Sequence, residues 1–272
     1  VTPSGVLYRM ERDGSRVRRL SANYVNDFTP SVLPDGRILY SRWEYVDKPA
    51  IPIQSLWTIN PDGTGLSVFY GNRVLSPASL LEARAIPGTT QVLCTLTAHN
   101  GPIRGAVGVI DRTRGLNAQE AIRNLTPGVD IGRVDQGDGN HVRGPFENPH
   151  PIDGEHFLVS GKGNIYVGDL AGRWAKLLGR NMTMGYYNPQ PVRPRPRPPV
   201  LNSSLPADSS PQATVYVLDV YRGLLPRVQR GEVKQICVVE EVAKLLRTDV
   251  MGFGFQRPVI SCGATYAVKR IW

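Results

Sequence analysis

The chain of 272 residues lacks the short motifs that mark most enzyme active sites. Its four histidines, His99, His141, His150 and His156, form no HExxH pair and no pair at helical spacing. There is no Ser/His/Asp order typical of nucleophilic catalysis and no Gly-rich loop long enough to hold phosphates. No catalytic residue is therefore assigned.

Cysteine is also scarce, with three residues that form neither a CxxC pair nor a zinc-binding spacing. Cys94 lies in an apolar strand and is predicted to belong to the core. Cys237 and Cys262 are either free thiols or a disulfide, and a disulfide requires an oxidising compartment.

Long apolar runs are missing, and lysine is scarce. No run reaches the ~18–20 residues that a membrane span requires, so no span is predicted. The net charge is +9, with 26 Arg against 6 Lys. Because these arginines are spread through turns and strands without an aromatic–basic motif, we do not expect nucleic-acid binding.

What the chain does contain is a repeat. Segments Leu7–Leu20, Leu56–Phe69 and Ile165–Leu178 each read as a short apolar strand, a turn with Gly, and a second strand. Asp-Gly at a turn tip indicates a hairpin, since Gly accepts the positive φ that the turn needs. A repeat of about fifty residues with a hairpin in each unit is typical of β-propeller blades.

The inner half of each blade lies between these copies. A turn followed by a buried strand recurs at 33–41, 86–95 and 152–160. Asn148–Pro151 enters the last of these, Asn188–Pro191 resembles the start of another, and a fourth hairpin near 107–111 matches poorly. The fold class predicted is all-β: a partial TolB-like β-propeller of about three and a half blades of four-stranded antiparallel sheet.

The predicted organisation has three parts: blades at 1–190, a Pro/Arg- and Ser-rich linker at 191–212, and the start of a second β-rich domain at 213–272. In the last part we predict strands at 214–221, 233–239 and 265–271 and a short helix at 240–247. A propeller closes with roughly four to eight blades, so the remaining blades are expected before Val1. The alternative is a small irregular β-protein with diverged repeats.

Two segments are candidate sites. Asp130, Asp135, Asp138 and His141 lie within twelve residues and offer ligands of the kind that Ca²⁺ prefers, although the spacing is not that of an EF-hand. A long Gly-rich loop between blades is the alternative.

The other candidate is the segment Arg42, Trp43, Glu44 and Tyr45, a predicted binding surface in which alternation places Arg42 and Glu44 on one side of the strand. The alternative is a core aromatic residue beside a structural ion pair.

Several segments together resemble the family related to the hydrazine synthase alpha subunit, which has many relatives in planctomycete-type bacteria. The resemblance covers nearly the whole chain, from about Leu7 to Trp272. It is carried by Asp27–Asp47, Ser55–Gly65, His99–Gly105, Arg193–Pro199, Val217–Gly223 and Arg230–Lys234.

The resemblance implies a periplasmic or otherwise extracytoplasmic protein, in which a propeller and a middle domain precede segments that carry c-type haem. This chain has no CxxCH, so no haem-binding residue is assigned in it. The implied partners are other domains or subunits of a redox complex. If the parent is an enzyme, the family implies a haem-dependent oxidoreductase of nitrogen metabolism. The alternative function is a TolB-like propeller that binds a protein or peptide at its channel mouth.

Overall fold

The computed structural model describes residues 5–23, 25–44, 53–181, 183–205, 214–237, 239–241 and 269–271. The chain forms two compact units, Thr2–Ser204 and Leu205–Trp272 (the latter with Val1). Across the described ranges the secondary structure is β-strand with two short 3₁₀ helices, and the all-β prediction is confirmed. Those ranges contain no helix of the length and hydrophobicity needed to cross a membrane.

The first unit begins with a two-stranded hairpin and continues with three four-stranded antiparallel blades. The hairpin pairs β1 (Tyr8–Arg9) with β2 (Arg18–Arg19). The first blade contains β3 (Asn26–Val32), β4 (Ile38–Trp43), β5 (Gln54–Ile59) and β6 (Ser67–Tyr70).

The other two blades follow in the same order. The second contains β7 (Ser79–Ala85), β8 (Val92–Thr97), β9 (Ala106–Ile110) and β10 (Ile122–Asn124). Its outer hairpin matched the repeat poorly because two 3₁₀ helices, Arg112–Arg114 and Gln119–Ala121, lie between its strands. The third contains β11 (Phe146–Pro151), β12 (His156–Gly161), β13 (Asn164–Asp169) and β14 (Trp174–Leu178).

The blades are arranged side by side with their first strands innermost. Strand β3 lies next to β7, and β7 next to β11. A single parallel bridge between Gln54 and Ser79 links the first two blades. Because neighbouring strands are antiparallel, the turns after the first and third strands of each blade lie at one end, called here the turn end. The other connections lie at the opposite end, called here the loop end.

The hydrophobic core lies between successive blades. One cluster joins the hairpin to the first blade, a second joins the first blade to the second, and a third, containing Leu93 and Phe157, joins the second to the third. Cys94 is fully buried in the second cluster, as predicted, and burial raises the pKa of its thiol. Burying one side chain such as Leu93 contributes about 1.5–3 kcal/mol.

Asp-Gly turns close the hairpins as the sequence predicts. Gly14 and Gly63 have φ of 83° and 90°, values that glycine adopts without strain. The aspartate before each glycine accepts a hydrogen bond from a backbone N–H two residues on, at 2.9 Å from Ser15 N to Asp13 and 2.9 Å from Thr64 N to Asp62.

The second unit corrects part of the prediction. The strand expected at 214–221 is wrong: this segment has no strand, and Tyr216 and Leu218 are 85% and 98% exposed. Alternating apolar residues without a partner strand cannot satisfy their backbone groups as a sheet. Strand β15 (Val239–Glu241) pairs antiparallel with β16 (Lys269–Ile271), so the predicted helix does not begin at 240. Its remainder, 242–247, and Cys262 lie outside the described residues.

Candidate functional site at the blade axis

The innermost strands share one irregularity near their midpoint. In β3, β7 and β11, two residues face one residue of the next strand, which is a β-bulge. The first bulged residue is Thr29, Glu82 or Asn148, with φ of 51°, 58° and 54°. Such left-handed geometry at a non-glycine residue costs about 1–3 kcal/mol and persists where the surroundings hold it.

Hydrogen bonds link these bulges from blade to blade. The N–H of Glu82 donates to Thr29 Oγ1 at 3.2 Å, and the N–H of Asn148 donates to Glu82 Oε2 at 2.6 Å. Asn188, whose φ is 50°, continues the series by donating its N–H to Asn148 Oδ1 at 3.2 Å. We call these four residues the axial ladder. The first two links join the backbone of one blade to a side chain of the blade before it, and the third joins the backbone of Asn188, which follows the third blade, to that blade.

Glu82 is the most heavily bonded member of the axial ladder. Its Oε1 accepts a short hydrogen bond from Asn148 Nδ2, and its Oε2 accepts a second from the hydroxyl of Thr95 at 2.9 Å. With the N–H of Asn148, three donors surround this carboxylate. Charge-assisted hydrogen bonds are about twice as strong as neutral ones, so Glu82 clamps the second blade to the third.

A basic cluster lies on the turn-end side of the axial ladder. Arg84 and His150 follow the bulges of β7 and β11, and His150 is 5% exposed. Burial, reinforced by the positive charges of Arg84, Arg195 and Arg193, lowers the pKa of His150 to about 4. The imidazole is therefore neutral near physiological pH.

Arg193 and Arg195 belong to an extended segment, residues 189–204, which we call the strap. The strap contains neither helix nor strand, and alternate prolines fix φ along 194–198. It reaches the first blade, where the carbonyl oxygen of Pro199 lies so close to Gly36 that an added Cβ would stand 2.6 Å from it. Further on, Ser204 donates its N–H to Asp62 at 2.8 Å. The strap thus runs along the turn end from the third blade to the first.

The predicted binding segment is divided between two environments. Arg42 is 9% exposed, bonds Asp27 at 3.1 Å and Glu44 at 2.9 Å, and so lies on the same side as Glu44, as alternation predicts. Burial alone would lower the pKa of Arg42, but the two carboxylates outweigh it and the net pKa is raised. Burial also raises the pKa of Asp27. These contacts are those of the structural ion pair that was the alternative interpretation.

Trp43 faces the other way, at the loop end. Its ring meets that of His99 edge-on at 4.7 Å, and His99 Nδ1 is 2.9 Å from Gln54 Nε2. Tyr45 lies outside the described residues, so the surface as predicted stays a prediction.

The predicted calcium ligands lie in the long connection between β10 and β11. His141 Nε2 is 3.8 Å from Asp130 Oδ2, whereas Asp135 pairs with Arg133 and Asp138 accepts the N–H of Asn140. Across the described residues, no group of three or more His, Cys, Asp or Glu side chains is placed to hold a metal ion. The calcium site stays a prediction, with two of its four ligands brought together.

Sequence reasoning missed the axial ladder. A signal was present, because Thr29, Asn148 and Asn188 each precede a proline, and Thr29 and Asn148 also stand a few residues before an Asp-Gly turn. Asn is also among the residues that most readily accept positive φ. Glu82 has no following proline, and its role depends on a contact 66 residues away along the chain.

Comparison with solved structures shows where else this architecture occurs. The chain is similar to Kuenenia stuttgartiensis hydrazine synthase, with a TM-score of 0.53 and 16% identity over 69% of its length. It spans 24% of that chain. The tricorn protease aligns with a TM-score of 0.30 and 12% identity over 64% of this chain and 15% of that one, a likeness too weak to argue from.

No protein-family model matches the sequence, and no curated protein does. At this level of identity the likeness shows a shared fold: the chain has a propeller-type architecture with a distant structural relationship to hydrazine synthase.

Proposed function

We propose that this chain is the propeller portion of an extracytoplasmic protein related to the hydrazine synthase alpha subunit. In this proposal the parent protein carries c-type haem outside the 272 residues, and the propeller positions redox domains or partner subunits without catalysing a reaction itself. The shared fold with hydrazine synthase supports the relationship. The haem, the compartment and the partners are part of the proposal.

The axial ladder is the observation that carries the scaffold role. In most enzymes a central polar cluster is left available to a substrate. Here the carboxylate of Glu82 is surrounded by three donors from the protein, and Arg42 is held by Asp27 and Glu44. The Glu82 contacts join the second blade to the third, and the Arg42 contacts join strands within the first blade. Contacts of both kinds make the blades rigid, which is what a positioning domain requires.

A second candidate function is supported by the strap. An extended Pro-rich segment already lies along the turn end, where Ser203 and Ser204 bond Asp62. The blades therefore present groups that accept an extended chain. This favours the alternative of a TolB-like propeller that binds a peptide or protein ligand.

The test is to express the full-length gene in a host that matures c-type cytochromes and to compare its absorption spectrum with that of the 272-residue chain. We expect a Soret band from the parent and none from this chain. A Soret band from this chain alone would contradict the scaffold role. A parent without haem, together with saturable binding of a Pro-rich peptide, would favour the second candidate.

A further inference from the structure

Positive charge is concentrated on the turn-end side of the axial ladder, where Glu82 is the carboxylate that acts on Arg84. Arg84 lies two residues after Glu82 on the inner strand of the second blade, and His150 lies two residues after Asn148 on the neighbouring inner strand. Arg193 and Arg195 belong to the strap, which follows Asn188, the partner of Asn148, and reaches Gly36 at the turn end. The charges of all three arginines lower the pKa of His150. In the described part of the chain, none of these arginines forms an ion pair or a side-chain hydrogen bond. Three like charges held together by the fold repel one another, unless an anion lies among them.

One member of the cluster is buried and a second is partly buried. His150 is 5% exposed, and its Nδ1 has no hydrogen-bond partner among the described residues. Arg84 is partly buried, and burial is the first cause that lowers its pKa, with Arg195 adding to the effect and Glu82 opposing it. A buried polar atom left unpaired costs about 1–3 kcal/mol, so its presence beside unpaired guanidinium groups needs an explanation.

We propose that Arg84, His150, Arg193 and Arg195 form a binding site for a small multivalent oxyanion of the phosphate or sulfate class. Guanidinium groups present forked N–H donors that match such oxygens. The imidazole contributes one more donor when the proton is on Nδ1. The anion compensates the charge that the blade and the strap bring together.

An anion in this site would link the strap to the blades. Arg84 and His150 belong to two blades, whereas Arg193 and Arg195 belong to the strap. An anion held by all four joins the strap to the axis, in addition to the contacts that its far end makes at Gly36. Binding therefore orders the strap.

The experiment is calorimetric titration of the whole 272-residue chain with inorganic phosphate near neutral pH and low ionic strength. Sulfate and chloride serve as parallel arms, which separate multivalent from monovalent anions. We expect saturable binding of phosphate and sulfate and none of chloride. Arg84→Gln and the double variant Arg193→Gln/Arg195→Gln should each weaken binding about tenfold or more.

Arg197→Gln is the matched control, because Arg197 is an exposed arginine of the same strap that lies two residues before Pro199, at the end that meets Gly36 of the first blade. It should leave affinity within about twofold of the unaltered chain. The double strap variant changes exposed residues only, so it tests the site even where Arg84→Gln impairs folding.

Equal weakening by Arg197→Gln would show a nonspecific basic segment and overturn the proposal. Absence of saturable phosphate binding would overturn it as well. A histidine NMR titration gives an independent readout: phosphate should move the pKa of His150 upward, since an anion stabilises the charged imidazole.

Discussion

Replacing Glu82 by glutamine is the most direct test of the axial ladder, because the change keeps the size of the side chain and removes one acceptor. The Glu82 carboxylate accepts from the N–H of Asn148, from Asn148 Nδ2 and from Thr95. A glutamine amide has one oxygen and one NH₂ group. In either orientation its NH₂ group faces a donor of Asn148.

The hydrogen bond between Asn148 and Asn188 opposes the rearrangement that would restore the lost contact. Rotating the side-chain amide of Asn148 would offer its oxygen to the new NH₂ group, but that oxygen accepts the N–H of Asn188. The N–H of Asn188 also donates to Ser160 Oγ at 3.0 Å, so rotation would leave it one acceptor. At least one hydrogen bond is lost in any arrangement, and the bonds to residue 82 that remain no longer involve a charged acceptor. We expect Glu82→Gln to lower the free energy of unfolding by about 2–3 kcal/mol. For a unit of this size the Tm should fall by roughly 4–12 °C.

Urea unfolding followed by circular dichroism measures the free energy, and calorimetry measures the Tm. The matched control is Glu155→Gln, at an exposed glutamate in the β11–β12 turn, which should change stability by about 0.5 kcal/mol or less. If Glu82→Gln were as stable as this control, the axial ladder would not hold the blades and the reasoning would be refuted.

Three further predictions concern other contacts. The pKa of His150 is lowered from 6.5 to about 4 in the fold, so the unfolded chain binds a proton more readily between these pH values. The free energy of unfolding should therefore fall by about 3 kcal/mol as the pH is lowered from 6.5 to 4. In urea unfolding at several pH values, His150→Gln should show a smaller decrease. Arg42→Met leaves Asp27 buried without its cation and should lower the free energy of unfolding by about 3–5 kcal/mol in the same assay. Adding Asp27→Asn removes the unpaired charge and should restore part of that free energy. Asp62→Asn weakens the strap contact and should speed thermolysin cleavage of the strap, whereas Asp13→Asn, at the equivalent turn, should not.

The repeat was predictable because its signals are local. Asp-Gly at a hairpin tip and an apolar strand beside it need no knowledge of the rest of the chain, and Gly14 and Gly63 have the positive φ expected of them. The burial of Cys94 followed from the same strand pattern.

The candidate site was less predictable because it depends on contacts between blades. Nothing next to Glu82 in sequence indicates that Asn148 will bond it, and nothing next to Arg193 indicates that the strap runs along the turn end. Local pattern also misled at 214–221, where alternating apolar residues lack a partner strand. In both cases the outcome depends on which distant segment lies alongside.

The axial ladder is directional. In every link the residue later in the chain donates its backbone N–H and the earlier residue accepts with a side-chain oxygen. The two ends of the axial ladder therefore require different groups from a neighbouring blade. A blade added next to Asn188 must present a left-handed bulge with its amide pointing inward, whereas one added before Thr29 must present an acceptor.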